Sequence, residues 1–145
     1  MQPRLNFYKA SPDAIKAMLG LEQRIGASGL EPALVELVRL RASQLNGCAY
    51  CLDLHTSDAL KGGENPRRLA LLAAWHETAL FSPREQAALR WTESLTRVAD
   101  THVPDADWDA VRPHFSEQEL TDLTLLVIAI NGWNRLAIAF RKLPD

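Results

Sequence analysis

Cys48 and Cys51 are the only cysteines of this chain, they stand three apart, and His55 follows four residues after the second. Thiols act as nucleophiles in their thiolate form, and two close thiols can also close reversibly into a disulfide. If the segment is helical, Cys48, Cys51 and His55 fall within an arc of roughly 60° on one face, because each residue turns the helix by about 100°. Leu52 and Ala59 lie beside that face, whereas Asp53, Ser57 and Lys61 lie opposite. The sulfurs and the imidazole therefore share a sheltered side that borders the core. Both cysteines lie near the helix N-terminus, where unpaired amides and the helix dipole favour a thiolate. His55 sits one turn beyond Cys51, which makes Cys51 the attacking thiol. Cys48 is then the resolving thiol, which closes a disulfide onto a sulfenic acid at Cys51 and protects it from further oxidation.

A histidine that manages protons is commonly oriented by an acid, and Glu36 on the preceding helix is the candidate. With a reversal at Asn46 and Gly47, Glu36 lies about 15 Å back along one helix and His55 about 11 Å along the next. An oblique crossing, two long side chains or one water would close that difference. A plain surface role for Glu36 is an ion pair with Arg39, with Arg41 nearby.

Other uses of a CxxC pair fit less well. Haem attachment expects histidine directly after the second cysteine, where Leu52 stands. A zinc site needs a fourth ligand from His76, His102 or His114, at no recognised spacing, so no metal site is expected and those histidines receive no role. A thioredoxin-like site expects βαβ surroundings. No cofactor-binding pattern is present. Trp75, Trp91, Trp108 and Trp133 read first as core or interface anchors, with the wall of a pocket as a second role open to Trp133 or Tyr50.

The elements that position these residues read as helices. Ser11–Pro12 opens a helix through Ala14, Ile15, Met18 and Leu19, and Pro32 opens a second, with Leu34, Leu37, Val38 and Leu45 on its apolar side. Asn46 and Gly47 suit a left-handed C-terminal cap. A third helix starts at the cysteines and stops at Gly62–Gly63. Pro66 begins a fourth, carrying Leu69, Leu72, Ala73 and Leu80, with a possible break near Trp75. Capping boxes at Ser82/Glu85 and Ser116/Glu119 precede a helix over Gln86–Ala99 and a last helix. That last helix contains LTLLVIAI, apolar on nearly every side, and is expected to be fully buried in the core or between subunits, with Gly132 as a possible interruption. No strand pattern of useful length occurs, and the expected fold class is all-α.

A chain of 145 residues suits one domain, residues 1–145, and can bury a sizeable core without staples. Its 47% hydrophobic and 23% charged residues are ordinary for a globular protein. Sixteen Lys and Arg are scattered among eighteen Asp and Glu, for a net charge of -2, which argues against nucleic acid as a partner. The N-terminal residues lack the apolar stretch of a signal peptide, and the apolar run Leu125 to Ile130 is too short to span a bilayer, so a cytoplasmic protein without a membrane partner is expected. Thiols are kept reduced there, which favours redox work over a structural disulfide.

The order Glu36, Cys48, Cys51, His55, with Glu36 twelve residues before the first cysteine, resembles the signature of the AhpD-like alkyl hydroperoxidases of the carboxymuconolactone decarboxylase superfamily. The phrase LNGCAYC approaches the family's INGCAYC, and the closing INGWNRLAIAFR is similar to the family's C-terminal helix, so the likeness covers most of the chain. It implies an AhpD-like helical bundle in which a helical hairpin carries the CxxC motif at a helix N-terminus, assembled as a homo-oligomer, a hexamer or trimer. It also implies a peroxidatic Cys51, a resolving Cys48, and a proton relay through Glu36 and His55, often by way of water. The reaction implied is reduction of a hydroperoxide at the expense of a thiol or lipoyl-type reductant. One departure stands out: some AhpD enzymes carry a second histidine between the cysteines and the last one, where this chain has Tyr50, Asp53 and apolar residues. Two other readings share the motif or the fold: a redox-responsive binding or regulatory protein, and a lactone decarboxylase, whose branch does not rely on the cysteine pair.

Overall fold

Proline and polar caps set most of the helix starts in the computed structural model, which describes residues 1–144. Nine α-helices form among these residues, with no strand: α1 (Phe7–Ala10), α2 (Pro12–Gly26), α3 (Pro32–Asn46), α4 (Ala49–Lys61), α5 (Pro66–Leu71), α6 (Pro83–Thr96), α7 (Val98–Thr101), α8 (Asp105–Val111) and α9 (Glu117–Phe140). Short 3-10 turns follow α5 (Leu72–Glu77) and α8 (Arg112–His114). The all-α expectation holds. Both capping boxes form as the sequence indicates, Ser82 with Glu85 and Ser116 with Glu119. Each satisfies two helix-end amides, worth about 1 kcal/mol per cap.

Helices α3, α6 and α9 form the centre. Leu34, Val38, Trp91, Leu123 and Val127 pack there with Ile25 of α2 and Phe115. A second cluster, with Leu37, Leu40, Leu72, Trp75 and Leu89, lies on another side of α3. A small third cluster joins Cys48 and Cys51 to Ala137 of α9, with Tyr50 packed against it. The cysteines thus sit where the α3–α4 hairpin meets the end of α9.

Several sequence expectations need correction. The helix from Pro66 is short: α5 ends at Leu71 and the backbone leaves helical geometry at Ala74, so Leu80 lies outside any helix. Helix α6 stops at Thr96 rather than Ala99, and Thr101 Oγ1 donates to the Ser94 carbonyl (2.8 Å) as the chain turns into α7. Gly132 does not interrupt α9. A methyl group there would meet Met18 Cε at 3.0 Å, so its glycine lets α2 pack closely on α9.

Within one chain helix α9 is not wholly buried, since Leu125, Ile128 and Ile138 are 37%, 55% and 47% exposed, so on that side only the between-subunit form of the expected burial is left. As a 24-residue helix with a mean hydropathy of 1.5 over its most apolar window, it is also long and apolar enough to cross a membrane, which the short run Leu125–Ile130 does not reveal. In this fold its inner face, including Leu123, Leu126, Val127 and Ile130, is core.

Candidate functional site

The reversal between α3 and α4 is made by Gly47, whose φ of 68° is left-handed and suits glycine. It puts Cys48 at the N-cap of α4 and Cys51 at the third helical position. Cys48 is therefore not in the helix with Cys51, as the sequence suggests, but closes its end: its Sγ accepts the Cys51 amide N–H (3.3 Å). The two sulfurs are joined as a disulfide, with Cα atoms 5.3 Å apart.

A buried amide relay holds this turn against α9. Asn46 Nδ2 donates to Oδ1 of both Asn131 and Asn134 (2.9 Å each), and Asn134 Nδ2 donates to Ser43 Oγ (3.0 Å). Asn134 and Ser43 are fully buried, and such groups fold at a net gain only when fully paired. The phrase INGWN therefore reads as an anchor for the CxxC turn.

Glu36 and His55 meet directly, without a bridging water: His55 Nδ1 lies 2.9 Å from Glu36 Oε2. The other carboxylate oxygen, Oε1, accepts from Arg39 Nη1 (2.7 Å). Arg39 Nη2 donates to Glu22 Oε2 (2.5 Å), and Trp133 Nε1 donates to Glu22 Oε1 (2.9 Å). One chain of contacts therefore runs from Trp133 through Glu22, Arg39 and Glu36 to His55. Arg41, two residues beyond Arg39, points elsewhere and pairs with Glu93 (2.7 Å). Burial pushes the Glu36 carboxyl up, but the His55 hydrogen bond and charge, together with Arg39, outweigh it and hold the group below the ordinary carboxylate range. Glu36 is then an acceptor only, so Nδ1 of His55 carries the proton and Nε2 keeps the lone pair in the neutral ring.

Cys51 and His55 line one cavity of about 200 Å³, walled by Phe7, Tyr8, Leu19, Tyr50, Leu54 and Trp133, with Glu22 and Arg39 at its polar side. Trp133 and Tyr50 wall a pocket as the sequence suggests. The sequence does not reveal α1, which supplies Phe7 and Tyr8; Tyr8 stacks on Trp133 at 6.4 Å between ring centres. A one-turn helix has no periodicity to read, and its only signal is Asn6, whose side chain caps Lys9 N. Glu36 borders a separate cavity with Gly26, Pro32, Arg39 and Asp58, which gives its carboxylate a route to water. Glu36, His55 and Asp58 bring their potential ligand atoms within 4.8 Å of one another, the arrangement nearest to a metal set among the described residues. Glu36 is already engaged there by both Arg39 and His55.

Residues 12–94 match the carboxymuconolactone decarboxylase family, and the chain belongs to it, as an AhpD-like member of that superfamily. It is 41% identical over 139 residues to YdfG of Bacillus subtilis, an uncharacterized protein, covering 96% of this chain and 95% of that one. The crystal structure of ATU0492 from Agrobacterium tumefaciens, a protein of unknown function provisionally named an AhpD antioxidant defence protein, superposes with a TM-score of 0.96 at 38% identity, covering 99% of both chains. The debrominase Bmp8 shares the fold at a TM-score of 0.81 and 18% identity, covering 94% of this chain and 74% of its own. The same fold thus serves a debrominase and a protein provisionally assigned to antioxidant defence, so the reaction must be argued from the site.

Proposed function

We propose that the protein is a thiol-dependent alkyl hydroperoxide reductase. The observation that carries the proposal is that Cys51 and His55 line one aromatic-walled cavity while Glu36, outside it, holds His55 Nδ1 at 2.9 Å. In the reduced protein His55 Nε2 takes the Cys51 thiol proton, and the thiolate attacks the outer oxygen of the hydroperoxide. The O–O bond breaks, Cys51 becomes a sulfenic acid, and the departing alkoxide leaves as an alcohol after taking the proton from His55. The Cys48 sulfur then displaces hydroxide from Cys51, forming the disulfide seen here; the Cys48 thiol proton converts that hydroxide to water. The sum is one dithiol and one hydroperoxide giving one disulfide, one alcohol and one water.

Glu36 fixes the His55 tautomer and steadies the imidazolium while it holds a proton, a role commonly worth about 10²–10⁴ in rate for a positioned acid–base group. The apolar walls favour an organic hydroperoxide over hydrogen peroxide. Two further parts of the proposal are residence in the cytoplasm and a homo-oligomer, the latter supported by the uncovered apolar side of α9 and tested by light scattering on the purified protein.

Steady-state consumption of cumene hydroperoxide with excess dithiothreitol tests the proposal. An enzyme consumes many equivalents per chain. Consumption that stops at one equivalent, with the disulfide formed and then inert, would replace it with the redox-responsive regulatory reading.

A further inference from the structure

The two sulfurs of the disulfide face different surroundings. Cys51 lines the apolar cavity with His55, whereas Cys48 lines a second cavity of about 380 Å³ bordered by Arg4, Arg141 and Lys142. The two cavities have only Tyr50 and Ala137 in common. No acidic residue borders the second one among the described residues, and none of its three cations is ion-paired among them.

Two of these cations are held in place. Arg4 donates from its backbone N–H to the Phe140 carbonyl (3.0 Å) and from Nη1 to the Ala139 carbonyl (3.0 Å), at the end of α9. Lys142 Nζ lies over the Tyr50 ring at 4.3 Å. Tyr50 thus separates the apolar cavity from the basic one and helps to fix the charge of the latter.

Thiol–disulfide exchange requires a thiolate to approach one sulfur along the S–S axis, from the side away from the leaving sulfur. We propose that the reductant is an anionic thiol, one bearing a carboxylate or sulfonate group, which enters through the Arg4/Arg141/Lys142 cavity and attacks Cys48. The first thiolate forms a mixed disulfide on Cys48 and expels the Cys51 thiolate beside His55, where the next peroxide is met. A second thiolate attacks the sulfur of the bound reductant, releasing Cys48 as thiolate and the reductant as its disulfide. Two thiols are oxidised, one protein disulfide is reduced, and the two protons lost by the reductant are regained by the protein thiols. Oxidant and reductant therefore use separate doors, and the cations raise the local concentration of the anionic thiol.

This inference deepens the peroxidase reading and rests on it, yet it is tested without peroxide. The disulfide-bonded protein is reduced by mercaptoethanesulfonate and, separately, by cysteamine, with each rate divided by that thiol's rate toward bis(2-hydroxyethyl) disulfide. The anionic thiol is expected to be favoured by about tenfold at low salt, and the preference to shrink at high salt. It is also expected to fall severalfold in the Arg141→Gln/Lys142→Gln variant, or in Lys142→Gln alone if the double variant does not fold. A preference for cysteamine, or one unchanged by these substitutions, would overturn the proposal while leaving the peroxide half-reaction untouched. Entry is read from single-cysteine proteins labelled with anionic and cationic methanethiosulfonates. Cys48 in Cys51→Ser should favour the anionic reagent more strongly than Cys51 does in Cys48→Ser; equal or reversed preference would sink the assignment of the door to Cys48.

Discussion

Two half-buried carboxylate–arginine clusters in this molecule look alike and do different work. In one, Arg68 is gripped by Glu64 (2.9 Å), by Glu85 (2.7 Å) and by the Leu80 carbonyl, and lies 4.8 Å above the Phe81 ring. In the other, Glu36 is gripped by Arg39 (2.7 Å) and His55 (2.9 Å). Both Glu36 and Glu85 are held below the ordinary carboxylate range despite burial that pushes them up. The Glu85 partner is an arginine, which never gives up its proton, so that cluster can only staple α5 to α6. Glu36 instead faces a histidine, a side chain able to take up and release a proton, which lines a cavity together with Cys51. A charge cluster becomes a site when one member can exchange a proton and the reacting atom has access to it.

Substitutions that keep shape and remove charge separate the two. Glu36→Gln should slow peroxide-driven thiol oxidation by about 10²-fold or more, because the amide no longer dictates the His55 tautomer. Its effect is read by stopped-flow thiol oxidation of the reduced protein. Glu85→Gln should leave that rate within about twofold and lower unfolding free energy by about 1–2 kcal/mol in urea, since it strands part of the Arg68 fork. A Glu85 variant as slow as the Glu36 variant would erase the distinction.

The acid limb of stability sharpens it further. The folded Glu36 carboxyl titrates below its ordinary value of 4.5, so its contribution is complete above that pH and is lost as pH falls through the lower folded value. Urea unfolding of the wild type should therefore weaken more steeply than that of Glu36→Gln between about pH 5 and pH 3. Parallel curves would show that Glu36 gains nothing from its partners. The smallest effect is expected at Trp133→Phe, which keeps the cavity wall but deletes the hydrogen bond to Glu22. It should cost about 1 kcal/mol and slow oxidation only severalfold, by loosening Arg39 behind Glu36. An unchanged rate would confine the relay to Glu36 and His55.

The order of the longer helices was legible because prolines, capping boxes and Gly47 act locally, and the shared cavity of Cys51 and His55 was legible because residues four apart face the same side of α4, whereas Cys48 caps that helix instead of joining its face. Glu36 needed the resemblance, since nothing within α3 distinguishes it from a surface acid paired with Arg39. Three parts of the site left no usable signal. Glu22 joins it through Arg39 and a hydrogen bond from Trp133, 111 residues away, α1 is a single turn, and Asn134 reads as an ordinary polar residue in an apolar helix. Each depends on how α2 and α9 pack on the α3–α4 hairpin, which no local pattern encodes. The misplaced ends of the helix from Pro66 and of α6 have the same origin, since turns and side-chain hydrogen bonds there override helix propensity.

The role of Cys51 as the attacking thiol is read directly by a single-turnover titration. Fully reduced protein is mixed with increasing cumene hydroperoxide, and free thiols and residual peroxide are counted together. One peroxide should remove two thiols per chain and yield the Cys48–Cys51 disulfide, while Cys51→Ser should consume no peroxide. Thiols that survive excess peroxide, or a Cys51→Ser protein that consumes it at the wild-type rate, would contradict that role.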